Sequence, residues 1–332
     1  MDQFSAHLDR GWDLVQRGDS QGAEASARRA LELDGQSPEA YNLLGFVAAM
    51  QGEFEDAVEH YRTAISLDDT YFEAMLNAAE LHIHPLGELD EALELCDQAL
   101  DLAENDDEVV DALLLKFDAL LAGNDSDAAT ELCRHFPAGP FQNPGHGFLI
   151  ARAFYEVGDL ERASPLIEEA VKAAPGNPDA WYYLGLVRDE RGDTTGATAA
   201  FLRSRELDLG ATVPSWTLTA DAFALTVRSA LDGLEPNLRR FVREDELFVS
   251  DVPGVEVVAD GVDPRALLLL DGVSAPSAAA HPTARLIVYQ RNVERLAGAV
   301  DALEREIAAA LEREITASFV EPPPASRRGD LN

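Results

Sequence analysis

A glycine followed five residues later by an alanine recurs six times along the first two thirds of the chain. The pairs are Gly18/Ala23, Gly52/Ala57, Gly87/Ala92, Gly123/Ala128, Gly158/Ala163 and Gly192/Ala197. Successive glycines are 34, 35, 36, 35 and 34 residues apart. A period of this length is typical of helical hairpins copied end to end, because stacked copies bury an apolar face that one hairpin leaves open. The sequence therefore predicts an α-solenoid, and binding is its default function.

Each copy contains the local signals of two helices joined by a turn. The glycine suits a left-handed residue at the end of one helix, and an acidic or amide residue after it suits the start of the next. Apolar residues then recur at helical spacing, as in Ala57, Tyr61 and Ala64. We expect the alanines to lie where two helices approach closely.

Two of the copies resemble the tetratricopeptide repeat family. The matching residues are Tyr41-Asn-Leu-Leu44-Gly45 with Ala57, Tyr61 and Ala64, and Trp181-Tyr-Tyr-Leu184-Gly185 with Ala197 and Phe201. The third copy departs from the family pattern at Ala78-Ala79, and the fourth has Lys116 where a small glycine is expected. The resemblance implies a mainly α fold, with about six helical hairpins over residues 4–211.

Arrays of this family line a concave surface with the first helix of each hairpin. Projected onto this chain, the pattern places seven residues toward that groove: Asn42, Phe46, Asn77, Glu80, Tyr182, Leu186 and Asp189. The amides of Asn42 and Asn77 suit an extended peptide backbone, whereas Phe46 and Leu186 have packing between hairpins as the alternative. The set of Lys or Arg with Asn by which some members grip a C-terminal carboxylate is absent from the sequence. The resemblance implies a protein or peptide partner.

The charge of the chain is strongly negative and uneven. The net charge is −35, and residues 1–212 hold 42 acidic and 14 basic residues. An acidic array repels nucleic acid and anionic membranes, so neither is expected as a partner. Two interpretations remain open, a solvated acidic surface and a groove for a basic peptide. Affinity that falls steeply with salt would favour the second, a chaperone-like adaptor for a basic client.

Cysteine and histidine usage gives no sign of a metal site in the repeats. Cys96 and Cys133 fall inside helical patterns and are expected to be buried thiols. His82 and His84 are two residues apart, so a helix points them to different sides, and they are interpreted as surface or cap histidines. The N-terminus lacks a cationic start and an apolar run, and no stretch approaches about twenty apolar residues. These patterns predict a cytoplasmic protein.

After Ala211 the period ends and a small α+β module is predicted over residues 213–320. A helix over Asp221–Arg243, broken near Pro236, precedes two β-rich runs at residues 254–258 and 285–289. A last helix is predicted from about Gly298 to Phe319, with an apolar stripe at Val300, Leu303, Ile307, Leu311 and Ile315. Residues 321–332 are predicted to be a disordered tail.

The module resembles the minimal zincin-like metallopeptidases of bacteria. The matching stretches include Ala230-Leu-Asp-Gly-Leu-Glu-Pro-Asn-Leu238, Val255-Glu-Val-Val-Ala-Asp260 and Arg285-Leu-Ile-Val-Tyr-Gln-Arg-Asn-Val293. In that family the last helix carries His-Glu-x-x-His, whose two imidazoles bind zinc and whose glutamate activates the bound water. The aligned residues here are Arg313-Glu314-Ile315-Thr316-Ala317.

The substitutions in this motif remove the zinc ligands. Arg313 is a permanent cation and Ala317 has no lone pair, so neither binds zinc, and no catalytic residue, metal or cofactor is expected. Glu314 is interpreted as pairing locally with Arg313 or another base. The resemblance then implies a pseudoenzyme, a non-catalytic scaffold or adaptor that binds proteins, with the strand at residues 285–289 accepting a peptide by β-augmentation. The alternative is a zinc-dependent metallopeptidase with unconventional ligands from Glu314, His281 or a partner chain.

Overall fold

The computed structural model describes residues 2–274 and 282–320, and helices follow one another in pairs from the start of the chain. Contacts between Cα atoms divide the chain into two compact units, residues 1–170 and 171–332. The sixth hairpin therefore shares a unit with the C-terminal elements, whereas the predicted domain boundary lies at residues 211–213. That boundary remains a prediction.

The first unit consists of five helical hairpins in chain order. Their helices are α1 (Gln3–Gln16), α2 (Ser20–Leu33), α3 (Pro38–Gln51), α4 (Phe54–Leu67), α5 (Phe72–Leu81), α6 (Leu89–Leu102), α7 (Asp106–Ala122), α8 (Ser126–Leu132), α9 (His146–Glu156) and α10 (Leu160–Ala173). Each hairpin pairs an odd-numbered helix with the even-numbered helix after it. The predicted α-helical repeat is confirmed.

Five of the six hairpin turns contain the predicted left-handed glycine, and the fourth does not. Gly18, Gly52, Gly87, Gly158 and Gly192 have φ between 71° and 79°. In the fourth turn Gly123 has φ −78° and Asn124 takes the left-handed conformation, with φ 57°. Asparagine tolerates this conformation better than most residues. Asp125 consequently caps α8, and the fully buried alanine is Ala129 rather than Ala128.

The glycine of the family signature allows an aromatic ring to lie across the first helix of a hairpin. A Cβ atom built at Gly45 would lie 2.6 Å from the ring of Tyr61, which is only 2% exposed. The same relation holds between Gly185 and Phe201, at 2.3 Å. Ala57 and Ala64 are fully buried beside Tyr61. The expected close approach of the two helices is confirmed at these positions.

The fourth hairpin has an incomplete second helix. Helix α8 has 7 residues, whereas α2, α4, α6 and α10 each have 14. A 3₁₀ turn at Cys133–His135 follows α8, and residues 136–145 then form neither helix nor strand. The gap lies between α8 and the next hairpin.

The second unit begins with the sixth hairpin and continues into a small three-stranded sheet with helices. Its elements are α11 (Pro178–Glu190), α12 (Thr194–Gly210), α13 (Ala220–Gly233), α14 (Pro236–Arg239), β1 (Val242–Ser250), α15 (Val255–Ala259), β2 (Leu268–Ser274), β3 (Thr283–Tyr289), α16 (Gln290–Ala297) and α17 (Leu303–Ile315). The strand order is β1-β3-β2, with β3 parallel to β1 and antiparallel to β2. Residues of α13 and α17 form the core with the sheet, among them Phe223, Leu286 and Ile307.

Several predictions for this unit are corrected by the structure. The β-rich run at residues 254–258 mostly forms helix α15, in which Val258 is buried and Val255 is 52% exposed. Strands β1 and β2 and helix α16 were not predicted. The run at residues 285–289 is confirmed within β3, and the last helix is confirmed as α17 with a π-type turn at Thr316–Val320. Its stripe is buried except at Val300.

Strand β3 lies in the middle of the sheet, which excludes the predicted binding of a peptide at its edge. Both edges of β3 are hydrogen-bonded, to β1 on one side and to β2 on the other. A peptide therefore has no free edge to join at residues 285–289, and the prediction of β-augmentation there is wrong.

The cysteine prediction is confirmed, and the histidine prediction is wrong in part. Cys96 and Cys133 are free thiols and are 0% and 1% exposed. His82 is buried at 1% exposure, with its Nδ1 2.7 Å from Glu88 Oε2, because the chain kinks into a π-type turn after α5. His84 is exposed, as predicted. His281 and the predicted tail at residues 321–332 lie outside the described residues.

Candidate partner-binding surface

Four of the seven predicted groove residues lie on helices α3 and α5 of the first unit. Asn77 donates from Nδ2 to Oδ1 of Asn42 at 3.0 Å, and Asn42 donates from Nδ2 to the hydroxyl of Tyr71 at 3.2 Å. Asn42 is only 3% exposed, so it orients its neighbours rather than presenting an amide at the surface. Burial raises the pKa of Tyr71 to about 12, so its hydroxyl keeps its proton at neutral pH. Asn77 is half-buried at the open end of this row.

The other two residues of this group differ in role. Phe46 packs edge-on against Trp12, with ring centroids 5.4 Å apart, which is the packing alternative considered for it. Glu80 is exposed, one helical turn after Asn77 on α5. Of these four residues, Asn77 and Glu80 are therefore the ones whose polar groups remain accessible, and partner binding by them remains a prediction.

Tyr182, on helix α11 of the second unit, is engaged by the C-terminal elements of the same unit. Its hydroxyl donates to Asp263 Oδ2 at 2.8 Å, and the guanidinium of Arg265 lies 4.4 Å from its ring centroid. Burial and the neighbouring Asp263 carboxylate raise the pKa of Tyr182. A partner that reached this phenol would have to displace Asp263 and Arg265. Leu186 is half-buried and Asp189 is exposed, and partner binding by them remains a prediction.

Arg265 is the centre of a polar cluster that joins the sixth hairpin to the elements after it. Its Nη2 lies 2.5 Å from Asp179 Oδ1 and its Nε lies 3.2 Å from Asp208 Oδ2. Asp208 also accepts from Arg295 Nη1 at 2.8 Å. The side chains of Arg265 and Asp208 are 15% and 12% exposed, so their charges are largely removed from water and depend on one another.

Sequence reasoning missed this cluster. The one local signal was Asp263-Pro264-Arg265, in which Asp263 Oδ1 accepts from the backbone N–H of Arg265 at 2.7 Å. Such a turn predicts a fixed loop but not its partners. Those partners lie 57 and 86 residues away along the chain.

A second unpredicted cluster surrounds His146 at the start of α9. His146 is 1% exposed, with Nε2 2.9 Å from Asp111 Oδ1 and Nδ1 3.0 Å from Asp107 Oδ1. Asp107 also accepts from the backbone N–H groups of Gln142 and Asn143. These hydrogen bonds, with the carboxylate close to His146, lower the pKa of Asp107. The cluster fixes the end of the segment after α8.

The stretch Arg313-Glu314-Ile315-Thr316-Ala317 lies at the end of α17 and in the turn after it. Arg313 Nε is 3.5 Å from Glu314 Oε1, and both side chains are more than 40% exposed, in agreement with the predicted local pair. Ala317 is exposed in the turn. Within residues 2–274 and 282–320, no group of three or more His, Cys, Asp or Glu side chains is placed to hold a metal ion.

The repeated hairpins, with a signature glycine against an aromatic ring, define a class of helical repeat protein. Two family models of the tetratricopeptide repeat match the sequence, one at residues 8–72 and 148–211 and the other at residues 48–114. Together they span slightly more than half of the chain, which therefore belongs to the tetratricopeptide repeat family. Neither model matches the stretch that contains the short helix α8.

Comparison with solved structures gives the same fold. The chain is similar to PilF of Pseudomonas aeruginosa, with 19% identity and a TM-score of 0.53, over 63% of this chain and 93% of that one. It is also similar to PilW, a type IV pilus biogenesis factor, with 17% identity and a TM-score of 0.52, over 61% and 92% of the two chains. At these identities the likeness shows the fold alone. No curated protein sequence gives a significant match.

Among the described residues, no helix is both long and apolar enough to cross a bilayer.

Proposed function

We propose that this protein is a non-catalytic scaffold or adaptor whose repeat array holds a protein or peptide partner. The observation that carries the proposal is the surface of α3 and α5, where buried Asn42 positions the half-buried amide of Asn77 beside exposed Glu80. An amide suits an extended peptide backbone and a carboxylate suits a basic side chain. Proteins of this repeat family generally bind other proteins.

We further propose that the C-terminal module is zincin-like and has lost its metal site. The support is chemical, because Arg313 brings a positive charge and Ala317 a methyl group where the family has imidazoles. A glutamate without a metal-bound water has no water to activate, so Glu314 is left with its local pair. The module then serves as a structural part of the second unit. We also propose that the protein is cytoplasmic.

The partner is proposed to be basic. The acidic excess over residues 1–212, with 42 acids and 14 bases, creates a negative potential that attracts cations and repels nucleic acid. Binding to such a partner should weaken steeply as salt rises.

Site-specific photo-cross-linking tests the binding function. A benzophenone side chain replaces Glu80 in the groove, and the control carries it at Arg305, which is exposed on α17 and 76% accessible. In extracts of the source cells we expect a discrete adduct at position 80 and none at 305. Asn77→Ala should reduce that adduct about tenfold, since one hydrogen bond to a partner is removed. Equal adducts at both positions would contradict a groove on α3 and α5.

Zinc content tests the proposal for the C-terminal module. Elemental analysis of tag-free protein is expected to give no stoichiometric zinc in the native chain. The double change Arg313→His with Ala317→His restores two imidazoles one helical turn apart and should allow zinc to bind. One zinc per native chain would overturn the proposal and support the metallopeptidase alternative.

A further inference from the structure

A cavity of about 400 Å³ opens in the first unit beside the incomplete helix α8. Its volume falls within the range of roughly 300–1,000 Å³ that is usual for ligand pockets. The lining is mainly apolar and aromatic, including Phe136, Phe141, Ile150, Phe154 and Leu166. Cys133 lies at its buried side. We call this space the α8 cavity.

The α8 cavity lies where the second helix of the fourth hairpin is incomplete. Helix α8 is 7 residues shorter than the 14-residue second helices of the other hairpins in this unit. At about 1.5 Å per residue, the missing part equals about two helical turns. Phe136, from the segment that replaces these turns, reaches Phe154 at a centroid distance of 6.1 Å, and the space beside the rings stays open.

Among the described residues at the rim of the cavity, both arginines have an ion-pair partner and the glutamate, Glu161, has none. Arg134 lies 2.5 Å from Glu131, and Arg162 lies 2.6 Å from Asp159 with its guanidinium over Phe154. Glu161 lines the cavity and is exposed with no such pair. Pro165, one turn later in α10, has no N–H to donate to the carbonyl of Glu161. The rim therefore offers the Glu161 carboxylate as a negatively charged acceptor to an incoming donor.

We propose that the α8 cavity binds about two turns of a basic amphipathic helix from a partner protein. Apolar side chains of that helix fill the space of the missing turns, and a lysine or arginine beside them pairs with Glu161. The overall acidity of the array favours the same partner. This inference rests on the proposed binding function, but it places the contact away from the surface of Asn77 and Glu80.

A designed peptide provides the probe. LKKLLKLLKKLLKL has leucine at helical spacing on one face and lysine on the other, and LEELLELLEELLEL has the same face with acidic residues. Fluorescence anisotropy of each labelled peptide with the full chain gives a Kd. The basic peptide is expected to bind, and the acidic peptide is expected to bind much more weakly.

Gly147→Leu adds an apolar side chain to the wall of the cavity without straining the fold. Gly147 lines the α8 cavity in helix α9, and a Cβ atom built there meets nothing within 4 Å. The matched control is Gly233→Leu, a helical glycine that is likewise free of close atoms but is exposed and lies at the end of α13. We expect Gly147→Leu to weaken the basic peptide at least about tenfold, since its apolar side chains lose their space, and Gly233→Leu to leave the Kd unchanged.

Glu161→Gln tests the ionic part of the proposal. It should weaken the peptide by about threefold, a loss typical of an exposed ion pair. Unchanged binding to Gly147→Leu would overturn the α8 cavity as the site, as would the absence of binding to the native chain. Peptide binding lost with Asn77→Ala but kept with Gly147→Leu would leave the proposed function standing and refute this inference. Self-association that Gly147→Leu abolishes would assign the cavity to a second copy of the chain and refute it as well.

Discussion

Gly45 shows how one residue type fixes the geometry of a repeat. The ring of Tyr61 lies so close to this position that a Cβ atom would come within 2.6 Å of two ring carbons. Tyr61 is buried beside Ala57 and Ala64, so the ring has little freedom to move away. The sequence predicts a close approach of the two helices at the alanines, whereas the contact between Gly45 and Tyr61 is a finding of the structure.

Gly45→Ala is therefore expected to destabilise the protein by about 1–3 kcal/mol through overpacking. The control is Gly147→Ala, where an added Cβ atom meets nothing and the helix gains roughly 0.5–1 kcal/mol from lower backbone entropy in the unfolded chain. Urea unfolding followed by circular dichroism measures both. Equal stability of the two variants would contradict the close approach of Tyr61.

Arg265 holds two carboxylates and an aromatic ring together in the second unit. Arg265→Ala leaves Asp179 and Asp208 without a common partner and removes the cation over Tyr182, at an expected cost of about 2 kcal/mol. Arg265→Lys should recover little, because a lysine lacks the planar fork that reaches both carboxylates. Faster amide hydrogen exchange in α11 and α12, which carry Asp179 and Asp208, reports this loss. Arg305→Ala, which removes an exposed pair with Glu306, is the control and should change nothing measurable.

The sequence predicts the elements of the array better than those of the module. Helical hairpins follow from local signals that recur in each copy, such as the turn glycine and the apolar spacing. In contrast, Val255–Ala259 forms a helix despite its β-branched residues, because β propensity depends on packing that this segment does not make. Strand β1 contains Glu244, Asp245 and Glu246, which hide the expected alternation, and its partner β3 is far along the chain.

One carboxylate, that of Asp107, is hydrogen-bonded to the end of the segment between α8 and α9. Asp107 Oδ2 accepts from the N–H of Gln142 at 2.9 Å and its Oδ1 accepts from the N–H of Asn143 at 2.8 Å. The pKa of Asp107 is lower in the folded protein than its ordinary value, chiefly because of these hydrogen bonds. Its contribution to stability is therefore present above about pH 4 and is lost as the pH falls through the lowered pKa.

Asp107→Asn should free one of these two amides, since an amide side chain has a single acceptor oxygen. We expect faster hydrogen exchange at Gln142 or Asn143 near neutral pH, measured by NMR. As the pH falls through the lowered pKa of Asp107, the native chain should approach the behaviour of the variant. Asp101→Asn, at an exposed position of α6, is the control and should leave both amides unchanged. An unaltered exchange rate in Asp107→Asn would show that the segment is held by other contacts.

At the scale of the whole molecule, charge repulsion is the dominant electrostatic feature. The chain has 61 acidic and 26 basic residues, so folding brings many like charges together. The screening length falls from about 30 Å at 0.01 M salt to about 3 Å at 1 M, and surface repulsion falls with it.

The midpoint of thermal unfolding should therefore rise with added salt. Calorimetry at low and high concentrations of sodium chloride measures the shift, and tetramethylammonium chloride at equal ionic strength is the control for specific cation binding. The two salts should act alike if screening is the cause. A midpoint that falls with salt would mean that ion pairs such as those of Arg265 outweigh the repulsion.

The strand order β1-β3-β2 has a consequence during protein synthesis. Strand β1 ends at Ser250, but its partner β3 is complete only at Tyr289. At about 5–20 residues per second, a ribosome needs several seconds to make the intervening segment, and β1 waits unpaired during that time. The three consecutive acidic residues of β1 discourage pairing with other nascent chains in this interval. The same acidic residues that hide the strand pattern of β1 in the sequence thus reduce its pairing with other chains while it leaves the ribosome.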